Sequence, residues 1–145
     1  MRLGFDGLDR EIGERAARNG ASTFYDALKM WIESLRKACT CYRVQALALA
    51  EQAQDREARQ RMLNMADALE AIQHRAPRTF LEGVQLMWIY SVSSDLMNYG
   101  RMDDYLGPLY TDDVDAGRIT EEDAVRIVLG TTSTSRRSTR STTAA

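Results

Sequence analysis

Histidine, proline and cysteine are almost missing from this 145-residue chain, which has one, two and two of them. A lone histidine without neighbouring ligands makes a poor metal site. His74 stands in Gln73-His-Arg-Ala-Pro77, where a polar side chain at a helix end is ordinary. Two cysteines do not make a disulfide framework, so a reducing cytoplasm is the default compartment. Cys39 and Cys41 fall inside one helical pattern, and positions i and i+2 of a helix lie about 200° apart, so the pair cannot chelate one metal. Long apolar runs are missing too. Nothing approaches the roughly 18 to 20 residues of a membrane span, and Met1-Arg-Leu-Gly-Phe-Asp6 has no signal-peptide core. A surplus of positive charge is also lacking. Residues 131–145 hold three Arg and no acid, which leaves residues 1–130 with 16 basic against 21 acidic side chains, a net of −5. That mildly acidic body argues against nucleic acid as a partner.

What is present is helical. Apolar content of 44% and charged content of 28% are globular values, and the length suits one ordinary domain. Phe24, Leu28, Trp31, Leu35, Cys39, Tyr42, Ala46, Leu49 and Ala53 recur at steps of three and four, predicting one amphipathic helix over about 22–53. Ser22 or Thr23 is available as its N-cap. Met62, Met65, Leu69 and Ile72 predict a second helix, separated from the next by Pro77. Thr79-Phe-Leu-Glu82 has the form of a capping box. The helix it opens is apolar on nearly every face from Val84 to Val92, which predicts a central position and, in so short a chain, exposed apolar faces. Thr120-Glu-Glu-Asp123 opens a last helix, with acids in the first turn where they oppose the macrodipole.

Two segments break this pattern. Tyr99-Gly-Arg-Met-Asp-Asp-Tyr-Leu-Gly-Pro-Leu-Tyr110 is rich in turn formers, and Arg101 and Asp103 are expected to pair across a non-helical turn. Asp112, Asp113 and Asp115 lack the remaining spacing of a calcium loop and are expected to form a solvated turn. Residues 131–145 include ten Ser or Thr, and their only apolar residues are two alanines, so a disordered tail is expected there. Its abrupt onset raises the expectation of a truncated or out-of-frame end, which the coding DNA would settle.

The stretch Gly100-Arg-x-Asp-x-Tyr-Leu-x-Pro-x-Tyr110 resembles a signature of the pyruvate formate-lyase family of glycyl radical enzymes. Phe24-Tyr25, Thr79-Phe-Leu-Glu-Gly-Val-Gln-Leu-Met-Trp88 and Asp113-Val-Asp-Ala-Gly-Arg-Ile-Thr120 look like further blocks of that family in the same order, covering about residues 20–130. The resemblance implies a mainly α fold: an amino-proximal helical fragment (1–130) of a ten-stranded α/β barrel, followed by the disordered tail (131–145). It further implies a parent lyase, dehydratase or decarboxylase acting on a small substrate. In such a parent a glycyl radical, installed by an S-adenosylmethionine/iron–sulfur activating enzyme, generates a thiyl radical on cysteine. A homodimeric parent and a complementing remainder of the enzyme are the partners implied.

This chain has neither a Gly-Cys loop nor an Arg-Val-x-Gly-aromatic setting for any of its nine glycines. No catalytic residue, metal or bound cofactor is therefore expected, and whether the chain is an enzyme at all stays open. By resemblance, Asn98, Tyr99, Arg101 and Asp103 belong to the substrate pocket of the parent. The chain is about six residues shorter than many members between Gln85 and Gly100 and lacks their Glu and Asn-Gly insert, so a divergent branch is implied. An Arg101/Asp103 clamp is the structural alternative to substrate contact, and a stand-alone helical interaction module is the alternative to an enzyme fragment.

Overall fold

The computed structural model describes residues 3–20, 22–94 and 99–140, with side chains described as far as Gly130. Six helices follow one another: α1 (Phe5–Asn19), α2 (Thr23–Gln52), α3 (Arg56–His74), α4 (Phe80–Ser94), α5 (Met102–Asp115) and α6 (Glu121–Arg140). The described residues contain no strand. The mainly α expectation therefore holds. The backbone of α6 is described as far as Arg140. Residues 141–145 lie outside the described ones.

Packing divides into two cores that share α4. Phe5, Ile32, Leu35, Cys39, Leu69, Ile72, Leu86 and Ile89 unite α1, α2, α3 and one side of α4. Phe80, Val84, Met87, Leu106 and Ala124 unite the other side of α4 with α5 and α6. This double use explains why α4 is apolar on nearly every face. Val84 through Ile89 are covered inside the chain, except for the half-buried Trp88. Only Tyr90 and Val92 of the apolar run stand exposed. The exposure expected across Val84–Val92 is thus confined to its end. Two cores on opposite sides of one helix cover it with less material than a jacket would need.

The seam of α2 is rotated from its expected position. Ile32, Leu35, Cys39, Ala46 and Ala50 are buried, while Phe24 and Leu49 are 64% and 54% exposed. Both lie on one flank of the helix, beside the buried seam. Ser22 occupies the N-cap position without a side-chain cap bond.

The sequence pattern did not reveal α1, because Gly7, Gly13 and many charges dilute its apolar residues. It is held by Phe5 in the core and by Asp6, whose carboxylate meets Arg36 at 2.6 Å and His74 Nδ1 at 3.1 Å. Arg36, and secondarily His74, holds the Asp6 carboxyl below its ordinary range despite some desolvation. His74 Nε2 faces Glu70 at 3.5 Å, so the two ring nitrogens address different carboxylates and do not converge on one centre.

The segment from Met102 to Tyr110 is helix, not turn. Pro108 sits inside α5, where its missing N–H would otherwise bond the carbonyl of Asp104. Both residues face solvent, so water can satisfy that carbonyl. Gly83 permits the crossing of α4 and α5: a Cβ there would come within 2.7 Å of Leu109 Cδ1 and 2.9 Å of Leu106 Cδ2.

Helix α5 ends in a Schellman motif. Arg118 N–H donates to the Asp113 carbonyl at 2.8 Å and Gly117 N–H to the Val114 carbonyl at 2.9 Å, with Gly117 at φ 66°. Gly117→Ala is expected to cost about 1–2 kcal/mol of unfolding free energy, because a Cβ penalises the left-handed conformation. Urea titration of the two chains measures it.

Candidate functional site

The residues singled out by the signature gather at the start of α5. Gly100, at φ 61°, turns the chain, and Arg101 is the N-cap residue of the helix. Arg101 Nη2 meets Asp103 Oδ2 at 2.8 Å, with side chains 80% and 70% exposed. That guanidinium, helped by the amides of Asp103 and Asp104, holds the Asp103 carboxyl below its ordinary range. Tyr105 Oη donates to the Tyr99 carbonyl at 2.8 Å and ties the entry strap to the helix. Burial, then the neighbouring Tyr99, pushes the Tyr105 phenol up. Tyr99, Arg101 and Asp103 thus come together on an exposed rim, and Asn98 lies outside the described residues. The arrangement is a mutually satisfied, exposed ion pair at the start of α5. It offers recognition of polar groups but no poised acid or base.

Neither cysteine stands in a Gly-Cys setting: both lie on α2. Cys39 is fully buried and its thiol is pushed up to about 11 by desolvation, only partly opposed by Arg36. Cys41 lies on the exposed side of the same helix. Iodoacetamide at mildly alkaline pH is expected to label Cys41 readily and Cys39 only on unfolding, since thiolate and access are both required. Peptide mass mapping distinguishes the two. The residues present therefore do not fit a thiyl or glycyl radical centre. Among the described residues no group of three or more His, Cys, Asp or Glu could hold a metal ion.

The most constrained polar site is one that sequence reasoning misread. Asp113, expected in a solvated turn, is 2% exposed. Its Oδ2 accepts from Phe80 N–H at 2.7 Å and its Oδ1 from Arg118 Nε at 2.7 Å, while Arg118 Nη2 reaches the Asp112 carbonyl at 3.0 Å. Asp113 thereby caps α4 from across the second core, placing an anion at the positive end of that helix. The available signal was an Asp four residues ahead of Gly117-Arg118, the signature of a helix end whose carboxylate folds back onto the following arginine.

Half of the Thr79/Glu82 capping box forms. Thr79 Oγ1 accepts from Glu82 N–H at 3.2 Å. The Glu82 carboxylate turns instead to Arg75, with two bonds of 2.7 Å, and to Arg78 N–H at 2.7 Å. A bidentate guanidinium outcompetes a single amide for a buried carboxylate. At α6 the box closes fully with Asp123 as the returning acid: Thr120 N–H and Asp123 N–H each donate across it at 3.1 Å.

An open groove of about 370 Å³ runs between α1 and α2, walled by Leu8, Ile12, Phe24, Leu28 and Trp31. Its polar rim is already matched, with Arg15 paired to Glu11 at 2.6 Å and Tyr25 Oη accepting from Asn19 at 2.8 Å. No described helix is long and apolar enough to cross a membrane.

The 4-hydroxyphenylacetate decarboxylase glycyl radical subunit of Clostridioides difficile is 34% identical over 111 residues, covering 72% of this chain and 12% of that protein. The isethionate sulfite-lyase of Desulfovibrio desulfuricans is 28% identical over 144 residues, covering 88% and 17%. A solved structure concerned with 1,2-propanediol dehydration in Roseburia inulinivorans superposes with a TM-score of 0.71 at 21% identity, over 88% of this chain and 18% of that one. That likeness is one of fold. The chain spans only about an eighth to a sixth of the length of these curated relatives, and the match lies in their amino-terminal part. The family described as pyruvate formate lyase-like matches residues 1–132, and this chain belongs to it.

Proposed function

We propose that this chain is the amino-proximal helical part of a glycyl radical lyase, dehydratase or decarboxylase and is catalytically inactive by itself. The observation that supports this reading most is the family match over residues 1–132, in a chain whose cysteines and glycines lack the radical settings. In a complete enzyme of this kind, surrounding helices position the substrate and exclude water from the reacting centre. The Tyr99-Gly-Arg-Met-Asp103 rim is the part offered to a substrate cavity, with Arg101 orienting carboxylate or sulfonate groups once Asp103 shares it. A complementing remainder, a homodimeric parent and a radical S-adenosylmethionine activating enzyme are the partners in this reading, in the cytoplasm.

The test is anaerobic turnover. The purified chain, with an activating enzyme of the family, is incubated separately with 4-hydroxyphenylacetate, isethionate and 1,2-propanediol. No product is expected in any of the three, and formation of any product would overturn the proposal.

One observation favours a second reading, a stand-alone helical module: α4 is buried by this chain's own helices. A sharp thermal transition of the full chain, coupled to a well-defined size on gel filtration, would favour the module. A broad melt with exposed apolar surface would favour the fragment.

A further inference from the structure

Asn19 is the last residue of α1 and Gly20 its C-cap, and both are exposed between α1 and α2. Gly20 stands at φ 88°, and a Cβ there would meet nothing within 4 Å, so the backbone at this point is open to solvent. Its N–H is also free. At the C-cap of α3 the Arg75 N–H bonds the Ala71 carbonyl at 3.1 Å, and at that of α5 the Ala116 N–H bonds the Asp112 carbonyl at 3.2 Å. The Gly20 N–H has no such partner among the described residues. Asn64 has the opposite setting: the next N–H, that of Met65, belongs to the ladder of α3, and Gln60 Nε2 donates to Asn64 Oδ1 at 2.8 Å. Asp6-Gly7 is the corresponding aspartyl pair, but Arg36 at 2.6 Å and His74 at 3.1 Å engage its carboxylate, which is a poor electrophile while ionised.

We propose that Asn19 is a site of spontaneous covalent modification, at which its side-chain amide closes onto the backbone of Gly20. The Gly20 nitrogen gives its proton to solvent and attacks Asn19 Cγ. A C–N bond forms, the Cγ–Nδ2 bond breaks, and the side-chain nitrogen leaves as ammonia. Water then adds to one carbonyl of the resulting succinimide ring and opens it, to aspartate or to isoaspartate according to the carbonyl attacked. Glycine favours closure because no side chain crowds the attacking nitrogen. Tyr25 is the brake: its Oη accepts from Asn19 Nδ2 at 2.8 Å, and closure must break that bond. Either product leaves a negative charge at the carboxyl-terminal end of α1, where the macrodipole disfavours it. Isoaspartate also lengthens the backbone between α1 and α2. Conversion therefore loosens the last turn of α1 beside the groove that Tyr25 helps to line. This inference stands independently of the catalytic reading above.

Ageing of the full chain tests it. The protein is held at mildly alkaline pH and physiological temperature for days to weeks. Samples are digested in mild acid, which suppresses the reaction, and mapped by mass spectrometry with chromatographic separation of the two isomers. The peptide containing Asn19 should gain the mass change of amide to acid, as two isomers, faster as pH rises and well ahead of the peptide containing Asn64. Gly20→Ala should slow the conversion about tenfold or more, because a Cβ crowds the ring. Asn19→Gln, which can close only to a larger ring, should abolish it over the same period. Tyr25→Phe should speed it severalfold by releasing the amide. Circular dichroism checks that each variant keeps its helices. Amide hydrogen exchange in the last turn of α1 should be faster in the aged chain than in the fresh one. An Asn19 that stays intact, or that converts no faster than Asn64, would overturn the proposal. A Tyr25→Phe chain that ages no faster would overturn the assigned brake, and equal exchange in aged and fresh chains would overturn the loosening of α1.

Discussion

Replacing Asp113 by alanine is expected to lower the unfolding free energy by about 3 kcal/mol. The carboxylate is buried and has two partners from opposite directions, Phe80 N–H at the start of α4 and the Arg118 guanidinium beyond α5. Alanine leaves the Phe80 amide without an acceptor in the second core, and that desolvated donor carries the largest share of the loss. Arg118 is half exposed and turns to water, so its share is small. Asp113→Asn keeps an acceptor for Phe80 but loses the charge and turns its NH2 toward the half-exposed Arg118, which can rotate to water, and it should cost about 1 kcal/mol. Urea titration followed by helical ellipticity separates the two variants. A loss under about 1 kcal/mol for the alanine variant would mean that apolar contact alone joins α4 to α5.

Arg75→Ala is expected to cost about 2 kcal/mol at neutral pH, through the carboxylate it abandons. Glu82 is 9% exposed at its side chain, and its two bonds to Arg75 are its chief compensation for burial. Burial alone would raise the Glu82 carboxyl, but Arg75, Arg78 N–H and Thr79 together hold it below its ordinary value of 4.5. A depressed carboxyl stabilises the fold above its unfolded value, and that contribution is lost as pH falls through the folded value. The difference between the natural chain and Arg75→Ala should therefore be largest above about pH 4.5 and shrink in more acidic solution. Glu82→Gln should flatten this part of the pH profile. A difference that stays constant from neutral to acidic pH would show that Arg75 acts by packing alone.

Periodicity made α2, α3, α4 and the start of α6 legible, because each has an apolar stripe or a capping residue that the chain cannot hide. Thr120 and Asp123 close the box that the sequence announces. The rotation of the α2 seam was not legible. Apolar residues lie on both its flanks, and only the positions of α1 and α3 decide which flank is covered. Helix α5 was hidden by Gly100, Gly107 and Pro108, which read as turn formers. Tertiary packing of Leu106 and the close crossing at Gly83 overrode those local preferences. Asp113 was hidden for a different reason: its burial depends on a contact with residue 80, 33 positions away. The Arg101/Asp103 pairing was local and therefore readable.

Electron paramagnetic resonance of the purified chain, after anaerobic incubation with S-adenosylmethionine and a radical-generating activating enzyme of the family, addresses the absence of radical machinery most directly. No glycyl radical signal is expected, since no glycine of this chain stands in the required setting and Cys39 is closed to solvent. A protein-centred glycyl signal in proportion to the chain's concentration would contradict the assignment of these helices to a non-catalytic role.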